Sequence, residues 1–466
     1  MIPAASSYRL VNSHVASCFL DMDTALVEAA QLQGRSPLTG EALCNVDIAI
    51  ENGTITAIAP SGQLPPSPFP PLEIDLRGKQ VWPCFVDMHT HLDKGHIWER
   101  APNANRTFDQ ALSAVKDDAV AHWDEEDVYR RMEFGLKCSY AHGTSAIRTH
   151  IDSSGQQAHI SFSAYKQLHA EWSDRLSLQA VCLVSLDYFM GTDGEVLADR
   201  IATVPGGILG GVAFPHDDLD IYLDRVFSLA KERNLPLDFH SDESGNPNHN
   251  TLRRIAQAKI RHQFSNPVVC GHCCSLAVQP THDVEETLSL VKEAGIAVVS
   301  LPMCNLYLQD RYQTASQHFH QTTAASPGPL QTGTSPRWRG MTLLHELKAM
   351  GIPVAIASDN CRDPFFGFGD HDALEVFTQS VRIAHLDAPY GDWPNSITRT
   401  PADVLGIPTH GRIGVGLPAN VVIFKARTFS ELLSRPQSDR IVLRNGKEID
   451  TTLPDYDTLD DLVRHY

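Results

Sequence analysis

The sequence predicts an α/β chain built around a (β/α)8 barrel with strand-rich flanks, and three observations carry that expectation. Between residues 81 and 409, apolar runs of four to eight residues alternate with longer segments of helical period, the mark of βα units and a parallel sheet. Eight such runs can be counted, the number that closes a barrel, although a doubly wound open sheet alternates in the same way. Outside that span the pattern shortens to alternating strands and glycine turns.

Taken in order, residues 46–50 alternate, Glu51-Asn52-Gly53 turns, and residues 54–58 alternate again, which reads as a hairpin. Residues 60–71 form a proline-rich loop. The eight barrel strands are expected over residues 81–87, 144–150, 177–185, 208–214, 235–240, 268–272, 297–301 and 353–359. Helical periods fill the gaps, as over residues 219–233, 250–261, 285–294 and 343–350. Residues 313–336 break the rhythm: polar and rich in Thr, Ser, Gly and Pro, they read as a loop after strand seven, either a lid over the barrel mouth or a disordered insertion. Glycine turns and the run Val421-Val422-Ile423-Phe424 then return the chain to strand, so both ends read as all-β.

The chain has 466 residues, 42% of them hydrophobic, enough to bury a large core. Its formal net charge of −18, with no basic run, argues against nucleic acid or an anionic membrane surface as partner. No stretch of 18 apolar residues occurs, and the opening residues lack a charged start followed by an apolar run, so a cytoplasmic protein is expected. Ten scattered cysteines are expected as reduced thiols; Cys270-Gly271-His272-Cys273-Cys274 has no second CxxC to complete a zinc tetrahedron.

Chemistry concentrates at the strand ends. In Phe85-Val86-Asp87-Met88-His89-Thr90-His91, a strand places residues i and i+2 on one side, so two imidazoles could grip one ion. His318-Phe319-His320 has the same spacing but no strand before it, and is assigned to solvent. Another strand ends at His240, with Glu243 three residues on; the sixth ends at His272 and the eighth at Asp359. In a barrel these tips converge on one face. Three histidines and one carboxylate suit Zn²⁺ or Fe²⁺ with a bound water, and a histidine and a carboxylate remain for proton transfer. Singly, each residue also reads as an ordinary strand-end polar group or turn cap.

The set His89-Thr90-His91, His240 with Glu243, His272 and Asp359 resembles the amidohydrolase superfamily, in particular its cytosine-deaminase-like branch. His91-Leu92-Asp93, Ile147-Arg148-Thr149-His150-Ile151-Asp152, Phe239-His240-Ser241-Asp242-Glu243, Gly340-Met341-Thr342 and Asp363-Pro364 resemble that branch's local motifs. The resemblance implies a (β/α)8 (TIM-type) barrel over residues 81–409 and a small β-sandwich domain formed from both termini, residues 1–80 and 410–466. It implies His89, His91, His240 and Asp359 as ligands of one divalent metal ion, Zn or Fe, that lowers the pKa of a bound water to roughly 7. His272 and Asp359 would orient and deprotonate that water, and Glu243 would protonate a ring nitrogen. Two-metal relatives carry a modified lysine after strand four; here Val212-Ala213-Phe214-Pro215-His216 has none, which favours one ion. Lys94 is expected as a charge at the cleft rim.

The implied activity is hydrolytic release of ammonia from an amino-substituted pyrimidine or pteridine. Where cytosine deaminases carry a glutamine after strand three, this sequence has Ser185, and Asn360 stands where a second acid follows the metal aspartate. A hydroxyl cannot reproduce an amide's two-sided hydrogen bonding, and the shorter side chain leaves room for a larger ring, so pterin-type substrates rank ahead of cytosine and isocytosine. Ser185, His216, Asn360 and Trp98 are the expected substrate contacts, and Tyr188, Phe189, Trp98, Phe365 and Phe366 are candidate stacking or core aromatics. The expected partner is thus a small heterocycle, with homo-oligomer formation left open. The alternatives are cleavage of another C–N bond, in a cyclic amide or with release of an N-alkylamine, and an inactive barrel used for assembly.

Overall fold

The structure is a computed structural model that describes residues 5–31, 41–66, 72–310 and 336–463. Two large sheets organise it. The first is an eight-stranded parallel sheet, β7 (Phe85–Thr90), β8 (Thr144–Asp152), β9 (Ser177–Leu183), β10 (Gly207–Ala213), β11 (Leu237–Ser241), β12 (Val268–His272), β13 (Ala297–Ser300) and β14 (Val354–Ile356), each paired with the next in chain order. A parallel bridge between Thr90 and Asp359 joins the last strand's exit back to the first and closes the barrel. Buried Val, Ile, Ala and Phe side chains on both faces explain why these runs read as continuously apolar rather than alternating.

Helices return the chain between strands, and their ends follow local chemistry. Thr107 caps the helix Phe108–His122 by accepting from the Gln110 N–H at 3.3 Å, and Asp124 caps Glu125–Ala141 through the Asp127 N–H at 2.9 Å. Thr281–Ala294 begins after Pro280 and stops at Gly295, whose φ of 60° supplies the left-handed cap.

The second sheet draws on both ends of the chain. Its order is β18 (Lys447–Glu448), β17 (Ile441–Arg444), β16 (Val421–Phe424), β6 (Gln80–Pro83), β1 (Ser7–Ala16), β3 (Leu43–Glu51) and β4 (Thr54–Pro60), with β5 (Leu72–Asp75) also on β1. A short parallel pair joins β2 (Leu20–Asp21) to β15 (Ile413–Gly414). The expected hairpin is β3–β4, turning through Asn52 and Gly53, both at positive φ as a two-residue hairpin turn requires.

Several expectations need correction. The strand expected over 81–87 divides: Gln80–Pro83 pairs antiparallel with β16, and the barrel strand starts at Phe85. Pro83 has no N–H with which to extend a ladder, and the next two N–H groups go to Asn420 and Gly143. The ends are not all-β, since Thr24–Ala30, Phe429–Leu433 and Asp460–Val463 are helical; Asp23 caps the first of these through the Ala25 N–H. The expected lid over 313–336 and the pair His318/His320 lie essentially outside the described residues. All ten cysteines are free. No described helix is long and apolar enough to cross a membrane.

The sheets dock tightly at Gly143, between the helix Glu125–Ala141 and β8. Its φ is +95°, and a Cβ there would sit 2.6 Å from Cγ2 of the buried Val422 on β16. Arg444 of β17 crosses the same boundary to donate to the Thr144 carbonyl at 2.9 Å. Gly143→Ala therefore combines backbone strain with overpacking, and is expected to cost about 1–3 kcal/mol. Urea unfolding followed by tryptophan fluorescence checks this, and an unshifted midpoint would refute the tight docking.

Candidate active site

The strand tips meet at the carboxyl end of the barrel. His89 lies on β7 and His91 one residue past it, His240 is on β11, His272 ends β12, and Asp359 follows β14. The Nε2 atom of His240 stands 3.2 Å from Nε2 of His89 and 3.2 Å from Nε2 of His91. Asp359 Oδ1 is 3.5 Å from His89 Nε2 and 3.2 Å from His91 Nε2. Four donors placed 2.0–2.1 Å from a common tetrahedral centre would stand ~3.3 Å apart. His89, His91, His240 and Asp359 are all buried, and together they could hold a metal ion.

Their electrostatics point the same way. Burial pulls the three imidazoles well below the ordinary histidine range, so they are neutral and free to coordinate. Burial pushes Asp359 up to about 8. Neither Asp359 oxygen receives an N–H or O–H donor, its nearest support being the Cys304 thiol. Nitrogen lone pairs and an unsupported carboxylate facing one point are what a divalent cation satisfies.

Glu243 and His272 flank this cluster. Glu243, two residues past β11, is pushed well above the ordinary carboxyl range by burial and by Asp359. His272 is pulled down to about 3 by burial, and its Nε2 has no protein partner. Its Nδ1 lies 3.5 Å from Glu243 Oε1. Asn305, on the helix Pro302–Leu308 after β13, reaches both: its Nδ2 is 3.0 Å from His272 Nδ1 and 3.4 Å from Glu243 Oε1. The backbone at His272 and Asp359 is left-handed, with φ of 68° and 65°, sparsely populated conformations that cluster at functional sites.

A cleft of about 800 Å³ opens above, with His91, His240, Glu243 and His272 on its floor. Ser185 and Asn360 are among its lining residues. His216 and Trp98 are not among its lining residues. His216 points outward at the surface, its Nδ1 accepting from the Asp218 N–H, and Trp98 packs against Gly367 and edge-on to Tyr307. Of the expected aromatics only Phe365 faces the cleft; Phe189 is fully buried, and Phe366 packs on Tyr307. Phe108, Trp123 and Phe214 supply the other aromatic walls, Phe108 meeting Phe365 edge-on at 5.5 Å. Lys94 is no rim charge: it is buried, lines the cleft, and pairs with Asp152 at 2.7 Å.

Two further residues at the site, Asn305 and His150, have no role assigned from the sequence. His150, on β8, lies against His89 with ring centroids 3.8 Å apart, above the buried pair Arg148–Asp238 at 2.7 Å. Its motif was visible in the sequence, and Asn305 sits just past a barrel strand, where functional groups collect.

A family model described as "Amidohydrolase family" matches residues 72–181 and 132–449. A pterin deaminase from Rhizobium rhizogenes is 46% identical over 459 residues, covering 98% of this chain and 99% of that protein. An N-isopropylammelide isopropyl amidohydrolase from a Pseudomonas species is 25% identical over 391 residues, 81% of this chain and 87% of that protein. The crystal structure of a 5-methylcytosine deaminase from Klebsiella pneumoniae, liganded with 5-fluorocytosine, superposes with a TM-score of 0.75 at 20% identity, covering 96% of this chain and 98% of that one. By sequence over nearly its whole length, and by a barrel that closes on a His/Asp cluster, the chain belongs to the amidohydrolase family.

Proposed function

We propose that the chain is a metal-dependent hydrolytic deaminase that releases ammonia from a pterin-type ring. The observation that carries this is the pair Glu243 and His272, bridged by Asn305 and set beside four converging donor atoms, in a chain nearly half identical to a pterin deaminase. In this reading one Zn²⁺ or Fe²⁺ is held by His89, His91, His240 and Asp359, and the enzyme works in the cytoplasm. A divalent ion at such a site acidifies water, making hydroxide available at neutral pH.

The chain's own residues supply the proton traffic. With the Asn305 amide donating to Nδ1, the His272 proton resides on Nε2, so His272 orients the attacking water by donating to it. Asp359, whose carboxyl faces the same point as the three imidazoles, takes the water's proton. Glu243 protonates a ring nitrogen, which leaves the amine-bearing carbon electrophilic. That carbon gains the water oxygen and loses its amino group as ammonia: the departing nitrogen collects the proton that Asp359 took from the water, and the hydroxyl proton on the tetrahedral carbon returns to Glu243 as the carbonyl forms. Asn305 bridges Glu243 and His272 and so fixes their relative orientation.

The cleft favours two rings over one. Its volume lies in the upper part of the range for small-molecule sites, more than a pyrimidine fills. Ser185 leaves depth for a fused ring, and Phe108, Phe214 and Phe365 present apolar walls to a flat substrate. The apolar residues Leu112, Val115 and Ala119 extend the wall along one helix face, a surface suited to a substituent on the second ring.

Three outcomes are expected. Glu243→Gln should lower turnover by ~10²- to 10⁴-fold while metal content, measured by elemental analysis, stays as in the wild type; near-normal ammonia release would remove Glu243 from the acid role. Gly271→Ala should lower metal occupancy without removing a ligand, because its Cβ would fall 2.9 Å from Cε1 of His89; full occupancy after dialysis would contradict this. Ammonia release compared across pterin, isocytosine and cytosine should give the highest kcat/KM for pterin. Release from cytosine alone would overturn the substrate assignment, and release of an alkylamine without ammonia would overturn the deaminase reading.

A further inference from the structure

A second group of metal-ligating side chains lies outside the cleft. His96, Cys361 and His371 are buried, and their ligating atoms all lie within 4.8 Å of one another. Neither ring nitrogen of His96 has a hydrogen-bond partner, and neither has one in His371. Two imidazoles with all four nitrogens buried and unsatisfied are costly, unless something not made of protein engages them.

The surroundings are shaped to hold these rings. A Cβ at Gly135 would fall 3.0 Å from Nε2 of His371, so a side chain there would fill the space the imidazole uses. The His96 and His371 centroids are 5.6 Å apart, close to the 5.2–5.5 Å by which His91 stands from His240 and His89 in the catalytic cluster. His96 and His371 both adopt left-handed backbone, with φ of 64° and 53°, conformations that persist only where the surroundings hold them. The nearby cations are already matched: Arg131 pairs with Asp127 at 2.6 Å and Arg362 pairs with Glu99. Asp370 is engaged by His142 at 2.8 Å, and a small cavity borders Cys361, Asp370 and His371.

We propose that His96, Cys361 and His371 form a second metal site, structural rather than catalytic, that takes Zn²⁺ or a similar borderline divalent ion with water as the fourth ligand. Two imidazoles and one thiolate match that class of ion, and the Cys361 thiol releases its proton to solvent on coordination. His96 lies on the loop leaving the first barrel strand, and Cys361 and His371 lie on the loop leaving the last. The His96 and Trp98 N–H groups already donate to the carbonyls of Cys361 and Arg362, at 3.1 and 2.9 Å. The ion would rivet that seam, two residues beyond Asp359.

The test loads the purified full-length chain with Co²⁺, removes the excess, and reads metal content together with the near-ultraviolet absorption. The expected result is about two cobalt ions per chain and a thiolate-to-cobalt charge-transfer band. Cys361→Ser should abolish the band and lower the cobalt content by about one ion per chain. Cys304→Ser, which removes the thiol beside Asp359, should keep the band. Absence of the band in the wild type, its survival in Cys361→Ser, or its loss in Cys304→Ser would each overturn the proposal. If Cys361→Ser fails to fold, the wild type and Cys304→Ser decide. Because the readout is sulfur ligation, failure here leaves the deaminase reading untouched.

Discussion

The whole arrangement depends on one closure. The Asp359 N–H donates to the His89 carbonyl at 2.9 Å, joining the exit of the eighth barrel strand to the end of the first. Beside it, Asp87 accepts from the Ser358 backbone N–H at 3.1 Å and from the Ser358 hydroxyl, across 271 residues of chain. These contacts are buried, so water cannot compete for them, and they bring a carboxylate and two imidazoles from opposite ends of the barrel within ligand distance. A sheet left open at this edge would carry the same residues without assembling them.

A dry floor then does the electrostatic tuning. Every imidazole of the cluster is neutral and both carboxyl groups beside it bind protons more tightly than in water, the common cause being burial. Charge near the floor is paired in Arg148 with Asp238 beneath and in Lys94 with Asp152 on the wall. His150 fills the space between the lower pair and His89, so the orientation of that ring is set by packing as well as by any ion.

Much of this was legible in the sequence because strand-tip residues carry their own address. An apolar run ending in histidine or aspartate places that side chain on the functional face of a barrel, and His89, His91, His240, His272 and Asp359 do converge there, with Glu243 two residues beyond a tip. The strand limits were less legible where pairing rather than pattern decides them: Val81 and Trp82 are as apolar as the barrel strand that follows, yet their N–H and C=O groups belong to β16. Trp98 and His216 lie close in sequence to site residues yet away from the cleft, because loops do not keep sequence neighbours together at a site. Phe108 has no such address, because what brings it to the cleft is the path of a helix across the barrel mouth, and Asn305 reaches Glu243 and His272 from the helix Pro302–Leu308.

The pairing of Trp82 with Val422 has a consequence for synthesis on the ribosome. The amino-terminal strands emerge first, but one edge of β6 has no partner until residues more than three hundred positions later leave the exit tunnel. During that interval the barrel segments can pair in order, each strand beside the one just made, whereas the flanking sheet must wait with an apolar edge uncovered. Completion of that sheet therefore follows translation of nearly the entire catalytic scaffold, and a nascent chain stalled short of residue 421 would expose the strand most prone to pairing with another molecule.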